Sequence, residues 1–105
     1  MTDKASCEPV DPARVRSLPK HFAWIDHRIR DHLGRLSLEE IALLFFLHLA
    51  ADRLGCSFWS DTTIARRLGL EVGAVTEARI GLVRKGLVAF RYPLYQLLPL
   101  EAPRR

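Results

Sequence analysis

Apolar residues recur along this chain in short periodic runs, each closed by a polar or glycine stop. Ile25, Ile29 and Leu33 stand four apart, which places them on one face of a helix over residues 22–33. Trp24 opens that segment, Asp26, Arg28, Arg30 and Asp31 fall on its outward side, and Gly34 supplies a stop. Ser37-Leu38-Glu39-Glu40 spells a capping box, with the Ser37 hydroxyl placed to accept from the Glu40 amide and the Glu40 carboxylate placed to accept from the Ser37 amide. Residues 41–53 follow and are apolar nearly all round, which predicts a central helix buried on most sides and ended by Gly55.

The second half changes period. Residues 56–59 (Cys-Ser-Phe-Trp) are short, aromatic and suited to a strand. Ser60 offers a second N-cap and Asp61 an acid in the first turn, ahead of a short helix with Ile64, Ala65 and Leu68 inward. Gly69-Leu70 makes a tight turn. A third helix is expected over about 71–85, with Val75, Ala78 and Leu82 inward and Gly86 closing it. Two strand-like runs, 87–92 and 95–98, separated by Pro93-Leu94, predict a hairpin. Pro9, Pro12 and Pro19 break periodicity before the first run, so residues 1–20 read as an arm, 21–100 as one domain and 101–105 as a tail.

Composition supports one ordinary globular domain: 105 residues, 49% hydrophobic and 27% charged, enough to build a core without disulfides or metal. The formal net charge of +4 permits a polyanionic partner without requiring one. Arginine dominates the bases, since Lys4, Lys20 and Lys85 are the only lysines. Arginine suits bidentate phosphate and guanine contacts, and a GC-rich genome would produce the same bias. Two cysteines, Cys7 and Cys56, are too sparse for a secreted disulfide scaffold, so a reducing cytoplasm is expected. The apolar run within 41–51 is too short to span a bilayer and carries His48, so no membrane partner is expected.

Chemistry is hard to find. The chain has no glycine-rich phosphate loop after a strand, no G-x-S-x-G and no paired carboxylates on a shared face, and Glu39 and Glu40 are explained by capping. His27 and His32 diverge on a helix and no cysteine pair accompanies the four histidines, so no metal is expected. The expectation is a protein with neither catalytic residues nor a cofactor.

The order of elements carries more. Residues 59–70 (Trp-Ser-Asp-Thr-Thr-Ile-Ala-Arg-Arg-Leu-Gly-Leu) resemble the first helix and turn of a helix-turn-helix. Residues 75–88, ending Leu-Val-Arg-Lys-Gly-Leu-Val, resemble a recognition helix running into a wing. The chain from 37 to 98 is thus similar to the winged helix-turn-helix domains of bacterial regulators and replication initiators. The resemblance implies an α+β fold, mainly helical with a small hairpin, having a three-helix core plus the extra N-terminal helix.

It also implies a double-stranded DNA partner. The third helix would enter the major groove, with Thr76 and Arg79 as groove contacts and Gly73 and Ala74 allowing close approach. Ser60, Thr62 and Thr63 would lie near a phosphate at the second helix's N-terminus, and Arg66, Arg67, Arg84, Lys85 and Arg91 would neutralise phosphates. A homodimer through residues 22–33 or the C-terminal strand would suit two half-sites.

Glu77 and Ile80 sit poorly on such a face. Residues 60–86 hold five bases (Arg66, Arg67, Arg79, Arg84, Lys85) against three acids (Asp61, Glu71, Glu77), a net of only +2. The alternative is a winged helix that binds protein, with Glu77, Ile80 and the aromatics near the wing as its surface.

Overall fold

The computed structural model describes residues 8–17 and 20–100. Three α-helices and a three-stranded antiparallel sheet follow in the order α1 (Leu38–Ala50), β1 (Cys56–Phe58), α2 (Asp61–Leu68), α3 (Val72–Arg84), β2 (Val88–Arg91) and β3 (Leu94–Leu97). The class is α+β. No helix among the described residues is long and apolar enough to cross a membrane.

Local chemistry sets each boundary. The capping box forms: Ser37 Oγ accepts from the Glu40 amide at 3.0 Å and Glu40 Oε1 accepts from the Ser37 amide at 2.9 Å. After α1, Asp52 Oδ1 accepts from the amides of Leu54 and Cys56, both at 2.9 Å, and folds the chain back toward β1. Gly55 completes this turn at φ 85°, where a Cβ would stand 3.0 Å from the Leu97 carbonyl oxygen, so the turn and β3 can approach only because no side chain is there. Ser60 Oγ caps α2 through the Thr63 amide at 3.2 Å, and Gly69 closes that helix in the left-handed region.

The sheet order is β1-β3-β2. β3 is therefore the central strand, pairing Ser57 with Tyr95 on one side and Phe90 with Tyr95 on the other. Beneath it lie Leu43, Leu44 and Leu47 of α1, Ile64 and Ala65 of α2, and Val75, Ala78 and Leu82 of α3, joined by Leu87, Val88 and Tyr95. Truncating one of the buried leucines to Ala costs ~2–5 kcal/mol in sites of this kind.

Two expectations need correction. Residues 22–33 are not an α-helix: 22–26 are irregular, and short 3-10 turns follow at His27–Asp31 and Leu33–Arg35. The Asp26 carboxylate accepts from the Arg28 amide at 2.9 Å and also holds the Arg28 guanidinium, a local closure that competes with helix formation. Only Ile29 packs against the core from this segment, while Ile25 and Leu33 stay 36% and 41% exposed, too little burial to hold a helix this short.

The central helix, secondly, is not buried on most sides. One side is, and Leu38, Phe45 and Leu49 on the other are 80%, 55% and 58% exposed. The C-terminal strand is tied into the fold. Its two edges are paired, Leu97 and Leu100 pack against the core, and the Leu98 amide donates to the Leu87 carbonyl at 3.1 Å.

Candidate functional site

The chemistry of the α2–α3–hairpin unit centres on Asp61. This acid occupies the first position of α2, where the helix dipole favours it, and its carboxylate points at α3. Arg79 engages both of its oxygens, Nη1 toward Oδ1 and Nη2 toward Oδ2 at 3.2 Å. Thr76 Oγ1, one turn earlier on α3, donates toward Asp61 Oδ2 at 3.2 Å and shares its proton with the Val72 carbonyl at 3.3 Å. Arg79 Nη1 also donates to the Tyr95 hydroxyl on β3 at 2.9 Å. The guanidinium lies over the Phe90 ring of β2, 4.4 Å from its centroid, and the Phe90 and Tyr95 centroids are 4.7 Å apart. Four elements thus meet on one guanidinium, which suits arginine's planar, bidentate and stacking chemistry.

The surroundings tune the members. Burial works against the Arg79 charge, but the hydrogen bonds to Asp61 and Tyr95 overcome it and move its pKa up. Burial also pushes the Tyr95 phenol above its usual value, with the Arg79 charge opposing that only in part.

A second anchor holds the far end of α3. Lys85 Nζ pairs with Glu40 Oε1 at 2.6 Å and donates to the Arg35 carbonyl at 2.9 Å. Burial alone would raise the Glu40 carboxyl; the Lys85 ammonium and the Ser37 amide together outweigh it and hold the carboxyl below the ordinary glutamate value. Gly81 of α3 packs directly on this carboxylate, since a Cβ there would fall 1.8 Å from Glu40 Oε2.

The residues named from sequence therefore separate into two sets. Thr76 and Arg79 do not project outward as groove contacts, because both are turned toward Asp61. Lys85 is likewise committed, to Glu40 and Arg35. The Ser60 hydroxyl is occupied by the cap and by the Thr62 and Thr63 hydroxyls at 3.2 and 2.9 Å. Gly73 is exposed, while Ala74 and Thr63 are half-buried and Thr62 is exposed.

Arg66, Arg67, Arg84 and Arg91 are exposed, and none takes part in an ion pair among the described residues. Arg67 additionally lies over the Trp59 ring, 5.9 Å from its centroid. The outer side of α3 presents Gly73, Glu77, Ile80 and Arg84, flanked by Val72 and Val83. Between that side and β2 runs a shallow cleft of about 400 Å³ lined by Arg79, Ile80, Val83, Arg84 and Phe90. Tyr92, at the hairpin tip, is 68% exposed.

Asp61 is the residue that sequence reasoning undervalued, seeing a helix-end charge where the structure has a hub. The available signal was Arg79 itself, adjacent to inward Ala78 and four residues after inward Val75, hence on the covered border of α3.

A larger cleft of about 1430 Å³ lies between residues 21–29, the end of α1 and the segment 96–100. Several polar groups in it are already used: Asp26 by Arg28, Asp52 by its turn, and His48 Nδ1 by the Leu44 carbonyl at 2.9 Å. Among the described residues no group of three or more His, Cys, Asp or Glu is gathered as a metal site would need. No family model, curated protein or solved structure matches the chain.

Proposed function

We propose that this chain is a winged helix-turn-helix protein that binds duplex DNA, with α2 and α3 as the helix-turn-helix and the β2–β3 hairpin as the wing. The observation that carries this reading is the division among the arginines. Arg79 is spent on fixing α2, α3 and the hairpin to one another, while Arg66, Arg67, Arg84 and Arg91 on those same elements are exposed and unpaired among the described residues. Guanidinium groups held on a rigid frame and left without carboxylate partners suit a phosphate backbone.

On this reading α3 lies in the major groove by its outer side, Gly73, Glu77, Ile80 and Arg84. Gly73 permits close approach, Glu77 can accept from a cytosine amino group, and Ile80 can meet a thymine methyl. That side holds few hydrogen-bonding groups for base edges. The phosphate contacts therefore supply most of the affinity, and sequence preference is modest.

Titration of the full chain with random-sequence duplex at two salt concentrations tests the reading. Four phosphate contacts give a slope of about −3.6 in log affinity against log salt, or roughly 150-fold weaker binding between about 50 and 200 mM. The pair R66E/R67E abolishes retention of duplex. Affinity indifferent to salt sinks the proposal.

A second reading has its own observation. Val72, Ile80 and Val83 are 44%, 47% and 42% exposed on α3, and the cleft beside Phe90 could seat an apolar side chain of a protein partner. In that case R66E/R67E leaves partner binding intact, and I80E removes it.

A further inference from the structure

α1 carries two apolar stripes on opposite sides. Leu43, Leu44 and Leu47, with Glu40, are buried against α2, α3 and the sheet. Leu38, Ala42, Phe45 and Leu49 form the other stripe. Their spacing of four, three and four residues is that of the d and a positions of a heptad, the pattern of a helix that packs lengthwise on another helix. In the isolated chain Leu38, Phe45 and Leu49 are 80%, 55% and 58% exposed. At 100° per residue this stripe points away from the core-facing leucines, so repacking the core cannot cover it.

We propose that this stripe is the two-fold interface of a homodimer in which α1 packs antiparallel on α1 of a second copy. The spacing is a palindrome: reversing the helix leaves four, three and four unchanged. An antiparallel two-fold therefore sets Leu38 against the partner's Leu49 and Ala42 against the partner's Phe45, each pairing occurring twice. A large ring meets a small methyl at both central positions, as knobs meet holes. This is the self-complementarity that an isologous contact requires, residue i on j and j on i.

Charge agrees. Antiparallel packing opposes the two helix dipoles, the favourable arrangement for neighbouring helices. Phe22 and Trp24, 66% and 74% exposed, border the same cleft as Leu49 and extend the apolar surface at that end. Together with the stripe they expose on the order of 600 Å² of apolar surface, taking ~150–250 Å² for a whole aromatic side chain. That is close to the apolar share of a standard interface of ~800 Å² a side. The surface stands whatever α3 binds.

Sedimentation equilibrium of the full chain without DNA is the first test. The expected result is a concentration-dependent dimer that F45E weakens by roughly 30-fold or more, as for a central interface anchor. Circular dichroism of F45E should remain that of the parent, because Phe45 lies outside the core.

Disulfide trapping gives the direction, with Cys7 and Cys56 first replaced by Ser. A mixture of L38C chains and L49C chains cross-links, and neither variant cross-links with itself. In the antiparallel pair, like positions lie about 16 Å apart along the axis, beyond the ~4.4–6.8 Å that a disulfide spans. A chain that stays monomeric at all concentrations overturns the proposal, as does a dimer that F45E leaves intact. Self-cross-linking of L38C overturns it as well, since that belongs to parallel helices.

Discussion

Arg79 and Arg84 stand five residues apart on one helix and have opposite fates. Arg79, on the covered border of α3, has a side chain only 13% exposed and bonds to Asp61 and Tyr95 over the face of Phe90. Arg84, on the outer side, is exposed and has no ion-pair partner among the described residues. Residue type alone would assign both to a polyanion. The helical angle separates them: the first holds the frame, and the second faces solvent.

Substitution sharpens that contrast most strongly. R79A leaves the Asp61 carboxylate and the Tyr95 hydroxyl without their partner in a half-buried setting, at a cost of about 3 kcal/mol. For a domain of this size that lowers the melting temperature by roughly 12–24 °C. R84A shifts stability by no more than about 0.5 kcal/mol, as exposed substitutions do. Thermal denaturation of both, with D61A and D61A/R79A to complete a double-mutant cycle, measures the coupling directly. Equal melting temperatures for R79A and R84A would erase the distinction between the two sides.

The same geometry explains what was legible in the sequence. Much of residues 37–97 was readable because most boundaries have a local cause within a few positions: the Ser37–Glu40 box, Ser60, Gly69, Gly86, and a strand break at Tyr92-Pro93, although Leu94 already belongs to β3 and α1 ends at Ala50, short of Gly55. Apolar periodicity also named most of the core on α2 and α3. What was not legible rests on relations across the fold. The 18-residue separation of Asp61 and Arg79 gives no periodic signal, so helix angles alone put Thr76 outward and Arg79 at the border, where the tertiary fold turns both toward Asp61.

The segment 22–33 failed for the converse reason. Its fourfold apolar spacing resembles a helix face, but only Ile29 finds the core, and the Asp26–Arg28 closure takes the chain locally. That same pair holds the Asp26 carboxyl at about 2, chiefly through the Arg28 hydrogen bond. On α1 the all-round apolarity was visible, but its division into a buried stripe and an exposed one needs the position of the sheet.

Two glycines on α3 extend the comparison at smaller magnitude. Gly73, on the outer side, has nothing within 4 Å of where a Cβ would go. G73A should therefore stabilise by about 0.5 kcal/mol through reduced freedom of the unfolded chain. Gly81, toward α1, would drive its Cβ into the Glu40 carboxylate, which is held by the Ser37 amide and Lys85. G81A must displace that carboxylate from both partners, so despite the better helix propensity of Ala it destabilises by on the order of 1 kcal/mol. Urea unfolding of the two variants reads opposite signs; a stabilised G81A would mean that Glu40 rearranges freely and is not a fixed anchor.

The gentlest probe is pH, because the two anchors of α3 weaken at opposite ends of the scale. Glu40 has a folded pKa below its ordinary value of 4.5. Its contribution is complete above that value and is lost as pH falls through the folded pKa, where the unfolded chain takes up the proton first. Tyr95 has a folded pKa above its ordinary value of 10.0. Its contribution is complete below that value and is lost as pH rises toward the folded pKa, where the unfolded chain gives up the proton first. Melting temperatures of the parent, E40Q and Y95F across the range should therefore differ in shape. E40Q flattens the acid limb and leaves the alkaline limb alone, and Y95F does the reverse. If E40Q steepened the acid limb, the Lys85 pair would not be what holds the Glu40 proton off, and the end of α3 would be fixed by the Arg35 carbonyl alone.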